Sequence, residues 1–286
     1  MELPVFNDLN KRTFLLFNKY FKFNYLNLDV KMKSGTSVET NLLAEAGLVN
    51  RIFDGLIEGY YNISPDIKIG AKYHLNDLIA VVLKTKEVFL DGLTNMAIFN
   101  FLPQTKSKNL LIKNTYVMRN YNVTLDCDFL HSTPIITTST MINIFGQPGF
   151  IIGGEISFDM NLKQLQSHKV AFGYINEDLS IIGLIRRKNI IDTFLWYRFG
   201  TGVDLGCKIK MNVSTRDINL GFAGTVTVSK SLFVKAKFDE LQLLGVAFGY
   251  FLNEDSLITF CGQLNPNSLL TASSLQLGIG FEYETK

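Results

Sequence analysis

The sequence has no uncharged apolar run of about eighteen residues or more, and only 19% of its 286 residues are charged. The first absence excludes membrane-spanning helices, which need about 20 consecutive apolar residues. The net charge is only +2, so a large basic surface and a nucleic-acid partner are not expected. Yet 47% of the residues are hydrophobic. Such apolar content without a long run is typical of apolar residues at alternate positions.

The common catalytic and metal-binding motifs are absent as well. The chain contains no GxxxxGK[ST], HExxH, GxSxG or complete GxGxxG sequence, so neither an enzyme nor a bound cofactor is expected. His74, His131 and His168 are far apart, and no metal site is expected. Asp126 and Asp128 could pass for a catalytic pair, but a strand face in contact with water explains them more simply. The three cysteines are widely spaced and indicate no disulfide framework.

The N-terminal sequence, MELPVFNDLNKRTFLLF, lacks the pattern of a targeting segment. It has no basic region followed by an apolar core and a cleavage site. It also carries Glu2 and Asp8 and has no stretch rich in arginine and serine. We therefore expect neither a secretory signal, which a bacterial outer-membrane protein would need, nor a cleaved transit peptide.

The stretch from Leu275 to Tyr283 shows how the apolar residues are arranged. Its odd positions are Leu, Leu, Ile, Phe and Tyr, and its even positions are Gln, Gly, Gly and Glu. Strict alternation indicates a β-strand with one apolar and one polar face. Many other stretches have the same form. Alternating segments of about ten residues, separated by turn residues, are typical of transmembrane β-barrels, and we predict an all-β protein of this class.

Counting these segments gives nineteen predicted strands after residue 24. An odd number of otherwise antiparallel strands can close only if the first and last pair in parallel, whereas an open sheet would leave unpaired edges that lipid cannot satisfy. No linker divides the pattern, so we assign residues 1–24 to a helix and linker and residues 25–286 to the barrel. The predicted strands begin near Tyr25, Thr36, Leu48, Asp66, Asp77, Gly92, Lys106, Tyr121, Pro134, Gly149, Gln166, Asp178, Ile190, Val203, Asp217, Ser231, Leu241, Ser256 and Ser274.

Residues 4–20 are predicted to form the only helix. Pro4 suits a first helical turn. An apolar stripe recurs at three- and four-residue spacing, and most charged residues lie off it, so the helix is amphipathic. Such a helix suits any hydrophobic surface, an interpretation that the residues alone slightly favour, or the inner wall of a pore. The stripe consists of Phe6, Leu9, Thr13, Leu16, Phe17 and Tyr20.

The mid-chain stretch from Gly146 to Asp159 reads GQPGFIIGGEISFD. It resembles a strand of the eukaryotic mitochondrial porins, the voltage-dependent anion channels, and the sequence resembles that family over essentially its whole length. The resemblance implies a nineteen-strand barrel in the mitochondrial outer membrane with the amphipathic helix in its lumen, so our strand count agrees with it but is no independent test. The match is clearest at the opening, in Pro4, Phe6, Asp8, Leu9, Lys11, Phe17 and Lys19, followed by LDVKMKSG from Leu28 to Gly35.

The last predicted strand fits a second pattern of mitochondrial barrels. Gln276, Gly278, Phe281 and Tyr283 match a polar-x-Gly-x-x-hydrophobic-x-hydrophobic sequence. The resemblance implies that this strand is an insertion signal. Its partner would be the machinery that inserts barrels into the outer membrane.

Three departures from the family pattern concern gating and ligands. The family usually has a glycine-rich hinge between helix and first strand, but residues 20–24 here read YFKFN. Without glycine we expect a stiffer linker, which argues against voltage gating by helix movement. The family's nucleotide-linked GLK tripeptide is Gly92-Leu93-Thr94 here, so we do not transfer that role. Ala71 stands where some members have a lipid-facing glutamate.

If the apolar strand faces meet lipid, the opposite faces line the lumen. On this assignment we expect eleven bases against six acids and therefore a positive wall that concentrates anions. The acids are Asp29, Asp126, Asp128, Glu155, Asp159 and Glu282. The bases are Lys31, Lys33, Lys68, Lys72, Lys113, Arg119, Arg198, Lys208, Lys210, Lys235 and Lys237. The helix would narrow the pore, with Phe6, Asp8, Leu9, Lys11, Arg12, Phe17 and Lys19 as the constriction and gate.

The predicted function is passive, weakly anion-selective passage of ATP, ADP, phosphate and small anions across the mitochondrial outer membrane. Membrane lipid and the anions in transit would be its partners, and assembly into a homo-oligomer or a larger membrane complex is left open. One alternative is the protein-import pore of the same superfamily, which usually has a longer N-terminal extension and a more acidic lumen. Another is a non-conducting structural or docking subunit. A soluble β-rich binding protein fits least.

Overall fold

The chain forms a closed β-barrel of nineteen strands. The computed structural model describes residues 3–34, 37–47, 53–129, 134–144, 149–187, 189–239, 242–266 and 275–285. The strands are β1 (Tyr25–Ser34), β2 (Val38–Gly47), β3 (Phe53–Ser64), β4 (Ile67–His74), β5 (Ile79–Lys86), β6 (Leu93–Leu102), β7 (Ser107–Val117), β8 (Tyr121–Asp128), β9 (Ile135–Asn143), β10 (Gly149–Asp159), β11 (Gln164–Ile175), β12 (Leu179–Arg186), β13 (Ile190–Phe199), β14 (Val203–Asn212), β15 (Asp217–Ser229), β16 (Leu232–Phe238), β17 (Leu244–Phe251), β18 (Ser256–Leu264) and β19 (Leu275–Glu284).

The barrel closes between its first and last strands. Neighbours in sequence pair antiparallel throughout, whereas β1 and β19 pair in parallel, from Leu26 opposite Ile279 to Lys31 opposite Glu284. The predicted strand number and parallel closure are therefore confirmed. Closure removes both sheet edges, so every spanning strand has backbone partners on each side.

The predicted strand openings differ from the observed ones by at most two residues at seventeen of the nineteen strands. The exceptions are β3, predicted near Leu48 and observed from Phe53, and β17, predicted near Leu241 and observed from Leu244. The positions predicted at Thr36, Leu48, Leu241 and Ser274 lie outside the described residues, as does His131.

The pairing register keeps one polar face and one apolar face around the whole barrel. In β19, for example, Ile279 lies opposite Phe260 of β18 and Leu26 of β1, and Phe281 lies opposite Ile258 and Leu28. Phe222, Phe248 and Phe260 on this face are about half exposed. The N-terminal segment packs against the polar face, which is therefore the inner face of the barrel.

The N-terminal helix lies in the lumen but is shorter than the predicted span 4–20. A 3₁₀ turn, Phe6–Asp8, precedes helix α1, Lys11–Asn18, and Asn10 interrupts them with φ −92° and ψ 9°. At the other end the Asn18 amide donates to the carbonyl of Phe14 (3.0 Å), and Lys19 is extended. The apolar spacing continues across both interruptions, so periodicity alone overestimates the helix. No helix in the described ranges is long and apolar enough to span a membrane.

Candidate functional site in the barrel lumen

Residues 3–24, which we call the inner segment, follow the inner wall of the barrel. The 3₁₀ turn contacts β9 and β10, and α1 contacts β13 to β16. The segment then reaches β19, where the amide of Asn24 donates to the carbonyl of Leu277 (2.7 Å). In the described residues the segment's contacts extend from β8 through β19 to β2, so the open part of the pore is bounded by the segment's exposed side chains and by β3 to β7.

The first part of the inner segment is fixed by apolar packing and by one buried amide. Leu3, Phe6 and Leu9 are buried in a cluster with residues of β9 to β13. The side chain of Asn122, fully buried in β8, donates to the carbonyls of Leu3 (3.2 Å) and Pro4 (2.7 Å). Burial of three apolar side chains stabilises this attachment by several kcal/mol. This end of the segment is therefore firmly attached to the wall.

Helix α1 fits the wall because two facing positions are glycine. A Cβ on Gly206 would lie 2.8 Å from Leu16 Cδ1, and one on Gly221 would lie 3.0 Å from Phe17 Cε1. Leu16 and Phe17 are buried there against Trp196. The predicted apolar stripe is thus the packed face of the helix, while Lys11 and Lys19 are exposed to the pore.

Arg12 holds the outer flank of α1. Its guanidinium donates to two backbone carbonyls in the turn after β11 (2.8 and 3.2 Å) and lies 4.5 Å from the centroid of the Trp196 ring. Arg198 approaches the same ring at 5.1 Å and pairs with Asp204 at 2.9 Å. Burial and the charge of Arg198 lower the pKa of Arg12, but a guanidinium stays charged in proteins.

Lys235 binds the C-terminal end of the helix from the wall. Its Nζ donates to the carbonyls of Leu15 (2.9 Å) and Lys19 (3.0 Å), and the residue is only 4% exposed. The carbonyl of Leu15 also accepts from the amide of Lys19 (3.0 Å). The carbonyl end of a helix carries partial negative charge, so a cation is stabilising there. Lys235 therefore acts as a cap that belongs to the barrel and not to the helix.

The glycine-free linker still adopts left-handed backbone conformations. Tyr20 has φ 73° and Asn24 has φ 64°. Asparagine tolerates this region, but a tyrosine there is strained. Packing offsets the strain: the ring of Tyr20 lies 5.0 Å from that of Phe233, and Phe21 is buried against Ala247. Burial also raises the pKa of the Tyr20 phenol. The linker is thus held in one conformation by its contacts.

Lys22 connects the linker to the first two strands and to the last strand of the barrel. Its Nζ forms an ion pair with Glu45 of β2 and donates to the side chain of Asn27 of β1 (3.0 Å). Its carbonyl lies directly above Gly278 of β19, where a Cβ would be only 1.9 Å away. Gly278, a residue of the predicted insertion signal, therefore also has a packing role that the sequence pattern does not reveal.

The charge of the inner wall differs from the expected excess of bases. In the described strands the inner face holds fourteen bases and fourteen acids. The bases are Lys31, Lys33, Lys68, Lys72, Lys84, Lys86, Lys113, Lys169, Arg186, Arg198, Lys208, Lys210, Lys235 and Lys237. The acids are Asp29, Glu39, Glu45, Asp54, Glu58, Asp126, Asp128, Glu155, Asp159, Asp192, Asp204, Asp217, Glu282 and Glu284. The expectation of a positive wall was wrong because eight acids were missed. Applying the alternation to every strand would have found them.

Several of the predicted bases pair with the missed acids. Lys68 pairs with Glu39, Lys72 with Glu58 at 2.7 Å, and Lys31 with Glu284 at 3.7 Å. Lys113 lies 3.7 Å from Asp126, and both residues were predicted to line the lumen. Lys237 is placed differently, with its Nζ 4.7 Å from the ring of Phe21. Paired charges cancel at a distance, so these bases contribute little net field.

The remaining predicted site residues are distributed as follows. Lys33, Lys208 and Lys210 lie on the inner face, whereas Arg119 lies in the exposed turn between β7 and β8 and is not part of the wall. Strand β7 ends at Val117, two residues before Arg119. In β19, Gln276 and Gly278 face inward and Phe281 and Tyr283 face outward. Asp8 lies 3.9 Å from Lys11 at the surface of the segment.

Two cavities flank α1 between the helix and the wall. The first, of about 440 Å³, is lined by Arg186, Lys208 and Lys237 with Asp239 as its acid. The second, of about 420 Å³, is lined by four bases, Arg12, Lys19, Arg198 and Lys235, and by Glu177 and Asp204. Both cavities beside the helix therefore have more basic than acidic lining residues.

Comparisons with known proteins agree with this architecture. A family model described as eukaryotic porin matches residues 2–278. The chain is 21% identical to the voltage-dependent anion-selective channel of Drosophila melanogaster, over 99% of this chain and 100% of that one. It is 22% identical to a probable voltage-dependent anion-selective channel of Caenorhabditis elegans, over 99% of each chain, and 23% identical to the human non-selective voltage-gated ion channel VDAC2, over 98% and 95%. The chain therefore belongs to the eukaryotic porin family, whose members form membrane pores for metabolites.

Proposed function

We propose that the barrel is a passive, weakly anion-selective channel for ATP, ADP, phosphate and small anions in the mitochondrial outer membrane. The observation that carries the proposal is the origin of the lumen's positive charge. The described inner wall is balanced, whereas the inner segment adds Lys11, Arg12, Lys19 and Lys22 against the single acid Asp8. An excess of about three charges in a lumen with low-dielectric walls attracts anions.

The position of these charges explains why the selectivity would be weak. Lys11 and Lys19 are exposed to the open part of the pore, where water and salt screen them. The paired wall residues opposite, such as Lys72 with Glu58, interact with passing ions of either sign. The channel would therefore favour anions without excluding cations.

The relatives' names support a channel and leave its selectivity to measurement. Two relatives are called anion-selective and the human one non-selective. The names also describe these relatives as voltage-dependent or voltage-gated. In this chain the inner segment is attached to the wall, which opposes gating by movement of the helix. We further propose that Gln276, Gly278, Phe281 and Tyr283 present β19 to the barrel insertion machinery, as the resemblance implies.

Single-channel recording of the purified protein in a planar bilayer, with a KCl gradient across it, tests the proposal. We expect a large conductance and a reversal potential on the anion side. Leakage of ATP from vesicles that contain the protein should accompany it. A cation-favouring pore that responds to presequence peptides would instead indicate protein import. No current from demonstrably inserted protein would indicate a non-conducting structural subunit.

A further inference from the structure

The two ends of the barrel carry opposite charge. In the described residues, the turns that follow odd-numbered strands hold seven acids and two bases, and the turns that follow even-numbered strands hold four bases and two acids. At the acidic end these residues are Asp66, Glu87, Asp91, Glu177, Asp178, Glu254 and Asp255 with Arg119 and Lys230. At the basic end they are Lys106, Lys163, Arg187 and Arg216 with Asp77 and Asp239.

Lys108 extends the basic end onto the outer face. It is the second residue of β7, lies opposite Phe101 and is exposed. Of all Lys, Arg, Asp and Glu residues in the described strands, it alone has an outward position. A charged side chain on a lipid-facing surface is tolerated where it can extend to the headgroups. Lys108 therefore marks the level at which headgroups meet the barrel.

Turn geometry does not explain why bases occupy this end. Lys106, Lys163 and Arg216 have φ values of 54°, 49° and 61°. Glycine adopts this left-handed conformation without steric cost, and asparagine, found at residue 189 in the turn after β12, tolerates it. A long basic side chain is the less favourable choice for the backbone. Asp77 and Gln242 adopt the same conformation at this end, so bases occupy three of its six described non-glycine positions of this kind. Their repeated use there points to an interaction of the side chains.

Exposed apolar residues lie beside these bases. Leu162, next to Lys163, is 63% exposed, and Ile218, two residues after Arg216, is 58% exposed. Apolar side chains that enter the acyl region next to bases that meet headgroups are typical of protein segments at a membrane interface. We call Lys106, Lys108, Lys163 and Arg216 the basic rim.

We propose that the basic rim binds the phosphate-bearing headgroups of anionic phospholipids in the leaflet at that end. The inference rests on the barrel spanning a membrane and not on what passes through it. Each base near an anionic leaflet strengthens the interaction, whereas the seven acids at the other end repel the same lipid. The barrel thus has one end suited to an anionic leaflet.

Electron spin resonance of labelled lipids tests the proposal. Folded protein is reconstituted in phosphatidylcholine with trace spin-labelled phosphatidylglycerol or phosphatidylcholine, and the protein-bound fraction of each label is measured. We expect the wild type to favour phosphatidylglycerol several-fold. The variant Lys106→Gln/Lys108→Gln/Lys163→Gln/Arg216→Gln should lose most of this preference. Arg187 is kept because its side chain donates to the carbonyls of Leu165 and Gln166 (3.1 and 2.8 Å).

The matched control is Arg119→Gln/Lys230→Gln, which removes the two bases of the acidic end. This variant should retain the preference. Equal binding of both labels by the wild type, or equal losses in both variants, would overturn the proposal. So would a loss caused by inorganic phosphate beyond that caused by chloride of the same ionic strength, because the rim would then be a site for soluble phosphate. The measurement needs no ion current, so it can fail while the channel function holds.

Discussion

Individual residues decide how the inner segment is held, and two of them lie in the wall. Gly278 is the clearest example, because the carbonyl of Lys22 occupies the space that a side chain would need. The sequence pattern singles out Gly278 only as part of an insertion signal. Its packing role depends on a contact between residues more than 250 positions apart, which no local pattern reports.

We predict that Gly278→Ala displaces the linker and lowers the free energy of unfolding by about 1–3 kcal/mol, the usual cost of overpacking. Protein refolded from denaturant into detergent provides the test, since no insertion machinery is present. Gly262→Ala is the matched control, because its Cβ would meet its nearest neighbour, Leu277, at an ordinary 3.4 Å. Equal stability of the two variants would leave only the insertion role for Gly278.

Lys235 is the second such residue. Replacing it with methionine keeps its apolar stem but removes both hydrogen bonds to the helix end, which charged donors make worth about 1.5–3 kcal/mol each. We predict faster hydrogen exchange in residues 11–19 of Lys235→Met than in the wild type. Lys230→Met, in the exposed turn before the same strand, should exchange like the wild type. Unchanged protection of α1 in Lys235→Met would refute the capping role.

At the scale of elements, the strands could be predicted from sequence far better than the helix. A strand of this barrel has water on one side and an apolar environment on the other. Its polar and apolar residues therefore alternate, and this alternation is visible in the sequence. The helix ends where backbone geometry changes, at Asn10 and Lys19, while the apolar stripe continues. The conformation of the linker could not be predicted from the sequence either. The absence of glycine predicted restricted backbone angles, yet Tyr20 adopts a φ of 73°.

The strained linker yields a prediction about gating. Tyr20→Gly removes about 1–2 kcal/mol of strain but also removes the ring that packs on Phe233, and it gives the linker the freedom that the wild type lacks. We predict steeper voltage dependence of conductance in Tyr20→Gly than in the wild type. Asn24→Gly should change it little, because asparagine already tolerates its conformation. Identical voltage ramps for all three proteins would contradict a role of the linker in holding the helix.

For the whole molecule, charge distribution was harder to predict than topology. Counting nineteen alternating segments is enough to predict the topology of the barrel. The net charge of the wall is a small difference between the numbers of bases and acids, so a few missed residues change it. The missed acids, eight in all and among them Glu39 and Glu58, were enough to make a balanced wall look positive. In the structure the excess of positive charge lies on the inner segment and not on the wall. Our account of selectivity depends on that location.

The most direct test compares reversal potentials in a KCl gradient for the wild type, Lys11→Gln/Lys19→Gln and Glu58→Gln/Lys72→Gln. The first variant removes two exposed bases of the inner segment, and the second removes one wall pair without changing net charge. The account predicts an anion preference in the wild type that falls toward zero in the first variant and persists in the second. An unchanged reversal potential in Lys11→Gln/Lys19→Gln, or a cation preference in the wild type, would contradict it.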